Sequence, residues 1–279
     1  MKKLLFTFLL ISAFFSAQNR FIYDYKFVTD STNRDDVKSE LMYLDISSKK
    51  SKFYSYTSFK SDSLMRVDLE KQLKSTGAIN IKLDSRKGEV RYSVTKDFEN
   101  SKMYLHNRIG RDAFKVLEDR YIEWKIFSDR QKIGEFTTQK ATTEFAGRKW
   151  TAWFTEEIPI NEGPYKFKNL PGLIVKLEDD TQSHLFMLLA IKNLGNLEPE
   201  SSAFEIKNEI EINRKEYKKI FIENRNDPTK GMKQISMENG VILNMNNDAD
   251  TQKFMKEREE KLKEAIKKNN NLIELDLLK

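Results

Sequence analysis

The side chains that most often carry chemistry are scarce in this sequence. Of its 279 residues only two are histidines, His106 and His184, and none is a cysteine. The histidines stand far apart in strand-like runs, and without thiolates to complete a ligand set they do not predict a structural zinc site. The chain also has no G-x-S-x-G, no H-E-x-x-H and no glycine-rich loop that would hold a phosphate. We therefore expect no metal ion and no cofactor, and the sequence singles out no catalytic residue.

Carboxylates are plentiful, and a pair of carboxylates can hydrolyse a glycosidic bond. The pairs Glu156-Glu157 and Asp179-Asp180 each end a strand-like run, where a solvated charge is ordinary. The oxygen-rich stretch 244–250, NMNNDAD, lacks the glycine and the spaced glutamate of a calcium loop. Capping of the following helix by Asp248 or Asp250 explains that stretch better.

The charge balance argues against nucleic acid as a partner. Lysine and arginine number 49 against 43 aspartate and glutamate residues, and the two signs alternate, as in KEREEKLKEAIKK. A nucleic-acid-binding face would gather its basic residues and place stacking aromatics among them. The pattern is typical of a solvated surface of mixed sign.

The N-terminal residues have the layout of a secretory signal peptide. Two lysines precede an uncharged apolar run at residues 4–15, and small residues follow. We expect residues 1–17 to be removed by cleavage after Ala17, so that the mature chain begins at Gln18. The protein is then exported to the periplasm or the cell exterior. No later run approaches membrane-spanning length, and the missing cysteine leaves no thiol for a disulfide or a lipoprotein anchor.

Alternation with a period of two predicts β-strands through the first part of the mature chain. In RFIYDYKFV, residues 20–28, the aromatic side chains at every second position share one face. Similar runs follow at 39–47, 51–59, 88–98 and 101–109.

From Tyr121 onward the pattern predicts a meander of further strands. The runs are EWKIFSD, KIGEFTTQKATTEF, RKWTAWFTEEIPI, LIVKLED and HLFMLLAIKNL, and most are separated by the short connections SDRQ, AGR and DTQS. Connections that short join only antiparallel neighbours, because a parallel crossover needs a dozen or more residues.

Helical periodicity is confined to three places. Residues 61–74 fit both a strand and a helix, and their length together with an N-cap at Asp62 or Ser63 favours the helix. Asn213 and Glu216 form a capping box for a helix that ends before Asp227, and a last helix runs over 250–268.

The sequence therefore predicts an α+β fold: a curved antiparallel β-sheet meander, half-barrel-like in shape, with one internal helix and C-terminal helices. We expect residues 18–200 to form the sheet domain. Residues 201–279 then form a mainly helical region packed on the same domain.

The most distinctive stretch is GPYKFKNLPGLIVKLED, residues 163–179. Within it, Pro171 and Gly172 suit the two central positions of a type II turn, because proline fixes φ and glycine supplies a positive φ. On this interpretation the stretch is a structural turn that aims the strand beginning at Leu173. Pro164 has no N–H, so Gly163-Pro164 cannot cradle a phosphate.

These residues also carry a family resemblance. From Ile133 to Asp179 the chain closely resembles the GLPGLI family of exported Bacteroidota proteins, and the ending NNNLIEL is similar to that family's C-terminal close. The motif positions are Trp150, Trp153, Ile158, Pro159, Gly163, Pro164, Leu170, Pro171, Gly172, Leu173 and Ile174.

Two positions depart from the family pattern. Asn169 replaces the first glycine of the motif, which predicts a positive φ there, because asparagine tolerates the left-handed conformation. Thr138 replaces a cysteine that many members carry. The resemblance implies an exported protein with a link to outer-membrane transport, and it brings no established activity.

The aromatic residues around the motif leave two functional hypotheses open. Alternation puts Trp150 and Phe154 on one face of the strand and Trp153 on the other. Helices, a second layer or a ligand must cover the aromatic side chains on each face. The preferred hypothesis is a non-enzymatic binding or carrier module of the cell envelope, acting on an apolar ligand or on a partner such as an outer-membrane transport protein. The alternative is a carboxylate-based hydrolase. An enzyme should bring two acidic groups with perturbed pKa values together in a cleft, whereas a carrier should have an apolar cavity without them.

Overall fold

A single twelve-stranded β-sheet organises residues 18–76, 87–195, 208–230 and 249–279, which are the residues that the computed structural model describes. The signal peptide predicted at 1–17, the stretch 244–248 and the boundary predicted at 200/201 lie outside these residues. The strands are β1 Gln18–Val28, β2 Val37–Ile46, β3 Lys50–Ser55, β4 Ser93–Asp97, β5 Met103–Ile109, β6 Asp112–Glu118, β7 Lys125–Ile133, β8 Phe136–Phe145, β9 Arg148–Thr155, β10 Leu173–Asp179, β11 His184–Gly195 and β12 Ile210–Asn213.

The spatial order of the strands is β12-β6-β5-β4-β3-β2-β1-β11-β10-β9-β8-β7. The sheet is curved and open, and the predicted α+β architecture is confirmed. Every neighbouring pair is antiparallel except one, since β12 runs parallel to β6. β6 and β12 are separated by many residues and several strands along the chain, so no short connection forces them to be antiparallel.

One face of the sheet carries the core, and we call it the core face. The aromatic residues of β1 lie on it as the alternation predicts: Phe21, Tyr23, Tyr25 and Phe27 are all buried. The ring of Tyr25 stacks on that of Phe27 at 4.6 Å between centroids and on that of Phe186 at 4.1 Å.

Three helices accompany the sheet within the described residues: α1 Tyr56–Thr76, α2 Arg214–Asn226 and α3 Ala249–Lys268. α1 begins five residues before the predicted Ser61 and packs on β2 and β3. The capping box at Asn213 and Glu216 is present, and α2 ends at Asn226, before Asp227, as predicted. A short 3-10 helix, Leu275–Leu278, follows α3 and contacts α2. None of these helices is both long and apolar enough to cross a membrane.

Three details of the strand prediction are wrong. The run predicted at 51–59 is a strand only to Ser55, because α1 begins at Tyr56. The stretch SDRQ is the middle of β7 rather than a connection, and the chain turns instead at Gly134, whose φ is 59°. Most of β7 is exposed because it is an edge strand, so polar residues occupy both faces and hide the alternation. Strand β6 was not predicted, because its short run DAFKVLE lies directly after the turn that ends β5.

Candidate functional site

Gly172 of the family motif is fixed by close packing. The prediction of a positive φ there is wrong, since the glycines with positive φ do not include Gly172. A Cβ at this position would lie 2.0 Å from the carbonyl oxygen of Thr155, at the end of β9. The N–H of Leu173 donates to the carbonyl oxygen of Ile158 at 3.1 Å, so the segment leads into β10 without a hydrogen-bonded type II turn. The glycine is there because the neighbouring backbone leaves no room for a side chain.

Three other motif residues near Gly172 also have structural roles. Asn169 has a φ of 72°, the left-handed conformation that the sequence predicts for it. A Cβ at Gly163 would lie 2.6 Å from Cδ1 of Ile174, so this glycine too is needed for close packing. Pro164 begins a turn in which the N–H of Phe167 donates to its carbonyl oxygen at 3.2 Å.

The two tryptophans lie on opposite faces, as the alternation predicts. Trp150 is 1% exposed on the core face, and its ring packs against Phe167 at 4.8 Å between centroids. Trp153 is half-buried on the other face, and its register neighbours are Lys140 and Lys176. Tyr165, which lies between the motif positions Pro164 and Leu170, lines the cavity described next, and the motif positions themselves do not.

A cavity of about 260 Å³ lies between the core face and the residues that follow α3. Residues 269–278, which we call the C-terminal segment, supply one wall, and β1, β5 and α2 contribute to the others. Its aromatic lining consists of Tyr25, Phe27, Tyr92, Tyr165, Tyr217 and Phe221.

His184 and Tyr25 form a hydrogen-bonded pair at the cavity wall. Nε2 of His184 lies 3.1 Å from the carbonyl oxygen of Asn271, which can only accept, so Nε2 carries the proton. Nδ1 therefore accepts from the Tyr25 hydroxyl at 2.8 Å. Burial, reinforced by the positive charge of Arg148, lowers the pKa of His184 to about 3. The imidazole is neutral at physiological pH, and burial raises the pKa of Tyr25, so this pair is not poised to exchange protons.

Arg148 fastens the C-terminal segment to the sheet. Its guanidinium donates to Asp179 Oδ2 at 2.8 Å, to Asn271 Oδ1 at 2.6 Å and to the carbonyl oxygen of Leu272 at 2.9 Å. The side chains of Arg148 and Asp179 are 1% and 0% exposed. Asn270 and Asn271 then donate their backbone N–H groups to the carbonyl oxygen of Thr29 at 3.1 and 3.0 Å. The asparagines of NNNLIEL thus hold the end of the chain against β1.

A buried network of charges lies beside the cavity. Lys166 Nζ contacts Glu118 Oε2 at 2.6 Å and Glu274 Oε1 at 2.5 Å, and all three side chains are 1% exposed. Arg120 donates to Glu118, and Arg214 donates to Glu274 Oε2 at 2.5 Å. Burial opposes the ionisation of Glu274, but the charges of Lys166, Arg120 and Arg214 outweigh it and lower the pKa of Glu274 far below its ordinary value.

A second buried lysine, Lys96, is hydrogen-bonded to the loop that carries the motif. Lys96 Nζ donates to Glu162 Oε2 at 2.7 Å and to the carbonyl oxygens of Gly163 and Phe167 at 3.2 and 3.0 Å. These three acceptors use all three of its hydrogens. Burial lowers the pKa of Lys96, and the contact with Glu162 opposes that shift.

The carboxylate pairs noted in the sequence do not meet at the cavity. Glu156 and Glu157 are exposed beyond β9, and Glu157 accepts from the N–H of Thr137 at 2.8 Å. Asp179 is bound to Arg148, whereas Asp180 is exposed. Among the described residues, no three His, Asp or Glu side chains are placed to hold a metal ion.

The lining residues of the cavity could not be found from the sequence. Tyr25, Tyr92 and Tyr217 come from β1, from the segment before β4 and from α2, and no local pattern links them. The one signal in the sequence was that NNNLIEL resembles the C-terminal residues of GLPGLI family proteins. That resemblance indicates that the C-terminal segment has a structural role.

Comparisons with known proteins give a short family match and a fold. The model of a family described as "Protein of unknown function (Porph_ging)" matches residues 144–176. No curated protein matches the chain. Among solved structures, the chain is similar to PNGF-II in its P21 and C2 crystal forms, with 15% and 16% sequence identity and a TM-score of 0.51 for each. The likeness covers 75% of this chain but only 34% of the PNGF-II chain. At that identity it shows a shared fold.

Proposed function

We propose that this protein is a non-enzymatic binding or carrier module of the Gram-negative cell envelope, and that a small, mainly apolar ligand occupies the cavity beneath the C-terminal segment. The observation that carries this proposal is a cavity of about 260 Å³ with six aromatic rings in its lining. An apolar cavity of about 150 Å³ can bind benzene, so this one has room for a molecule of about two rings.

The charges around the cavity favour a carrier over a carboxylate-based hydrolase. Glu274 is a lining residue, and Glu118 lies across Lys166 from it. A general acid needs a raised pKa, whereas the lysine and arginines lower the pKa of both carboxyls despite their burial. Oε1 of Glu274 also accepts from the Tyr165 hydroxyl at 2.8 Å, so neither of its oxygens is left to act on a substrate.

The proposed compartment rests on the sequence and on the family resemblance. The two lysines and the apolar run of residues 1–17 support export to the periplasm or the cell exterior, and the absence of cysteine supports a chain without a lipid anchor. The motif residues within 163–174 support membership of the GLPGLI family of Bacteroidota. An outer-membrane transport protein is the partner that this resemblance suggests.

Native mass spectrometry of the protein purified from its own cell envelope tests this proposal. We expect the mass of a chain beginning at Gln18 plus a small molecule that is released on denaturation. A bare chain under conditions that preserve non-covalent complexes would contradict the carrier function. An uncleaved chain in the cytoplasmic fraction would contradict export.

A further inference from the structure

Four tyrosine hydroxyls surround the cavity, and two of them already have acceptors for their protons. Tyr25 donates to Nδ1 of His184 at 2.8 Å, and Tyr165 donates to Oε1 of Glu274 at 2.8 Å. Both are therefore bound within the protein, and neither is free to donate a hydrogen bond to a ligand.

The other two hydroxyls donate no hydrogen bond of normal geometry to a protein acceptor among the described residues. The oxygen of Tyr92 is buried and makes no hydrogen bond of normal geometry, although the Tyr25 hydroxyl lies near it. Tyr217 accepts from Nδ2 of Asn107 at 2.7 Å, which occupies a lone pair and leaves the proton unused. A buried hydroxyl without a partner costs free energy that a bound acceptor would recover.

The charges at the cavity wall are compensated by the protein itself. Glu274 is neutralised by Lys166 and Arg214, and His184 is neutral. Towards the solvent, Glu89 pairs with Lys38 at 3.2 Å, and Arg91, which also lines the cavity, lies 3.9 Å from Asp62. A charged ligand would lose its hydration without finding a free counter-charge among these groups.

We propose that the cavity takes an uncharged, flat molecule of about two rings that carries an acceptor oxygen such as a carbonyl, and that Tyr92 donates the hydrogen bond that orients it. This inference rests on the proposed carrier function and deepens it. The six aromatic rings favour a flat apolar body, which they can contact by stacking and edge-to-face packing. The Tyr92 hydroxyl then favours a ligand whose acceptor oxygen lies beside it when the rings occupy the cavity.

Two naphthalenes of matched shape test the inference by equilibrium dialysis against the purified protein. 2-Acetylnaphthalene carries a carbonyl oxygen, and 2-isopropylnaphthalene has the same outline without it. We expect the ketone to bind about tenfold more tightly, which is the worth of one hydrogen bond. In Tyr92→Phe the preference for the ketone should vanish while the binding of the hydrocarbon stays the same.

The possible outcomes separate this inference from the carrier function. Equal binding of both naphthalenes, unchanged by Tyr92→Phe, would overturn the role of Tyr92 and leave the carrier function standing. Tighter binding of 2-naphthoate than of the ketone would overturn the claim of an uncharged ligand. Failure of both neutral compounds to bind would count against the carrier function and the inference together. The melting temperature of Tyr92→Phe should not fall, because the lost hydroxyl makes no bond in the protein; a marked fall would show that the protein itself holds that proton.

Discussion

The carbonyl oxygen of Thr155 lies 2.0 Å from where a Cβ at Gly172 would stand. This relationship explains a glycine that the sequence attributes to a turn. The backbone of β9 and the start of β10 approach each other so closely that only a hydrogen atom fits between them.

Replacing Gly172 with alanine should therefore destabilise the fold by about 3 kcal/mol, since the clash is with backbone that cannot swing away. Gly134 is the matched control, because its φ of 59° is positive but nothing lies within 4 Å of a Cβ there. Gly134→Ala should cost about 1 kcal/mol, from the backbone conformation alone. Urea unfolding of both variants measures the difference. Equal losses would show that the close approach to Thr155 is not what requires the glycine.

The tryptophans of the motif should differ sharply in their contribution to stability. Trp150 is buried on the core face, so Trp150→Ala should cost about 3–5 kcal/mol, as large core truncations do. Trp153 is half-buried on the opposite face, and its truncation should cost about 1 kcal/mol. Iodide quenching in single-tryptophan variants provides an independent check. Strong quenching at both positions would contradict the core assignment of Trp150.

Acid should destabilise the protein through His184. Its pKa is about 3 in the folded state against an ordinary 6.5, so below pH 6.5 the unfolded chain binds a proton that the folded one does not. Stability should then fall as the pH falls from 6.5 towards 3, by about 1.4 kcal/mol per pH unit from this group. His184→Gln should remove that slope. Unfolding free energies at pH 6 and pH 4 measure it, and identical pH dependence in the two proteins would mean that the imidazole is not buried in its neutral form.

Arg148 should determine how firmly the C-terminal segment is held. A lysine at this position can keep the contact with Asp179. It lacks the planar guanidinium with which Arg148 also donates to Asn271 and Leu272. Arg148→Lys should cost about 3 kcal/mol and speed hydrogen–deuterium exchange in residues 269–278. Lys149→Arg is the matched control, because the side chain of Lys149 is 71% exposed. Unchanged exchange in Arg148→Lys would show that other contacts hold the segment.

Much of the fold was predictable because its signals are local. The aromatic alternation of β1, the capping box at Asn213 and the β10–β11 hairpin each lie within a short window of sequence, and each occurs where it was expected. The parallel strand β12 was not predicted, because its position beside β6 depends on contacts across the chain. The cavity was missed for the same reason: Tyr25 and Tyr217 are brought together only when α2 packs on β5 and β6 and the C-terminal segment packs against the end of β1.

The central claim is that the cavity lined by Tyr25, Tyr92 and Tyr217 holds a ligand. A crystal structure of the protein isolated from its own cell envelope tests this most directly. We expect non-protein electron density for a flat, uncharged molecule in the cavity, with an acceptor atom within hydrogen-bonding distance of the Tyr92 hydroxyl. A cavity that contains only ordered water, or one closed by a Tyr92 side chain turned onto a protein acceptor, would contradict it.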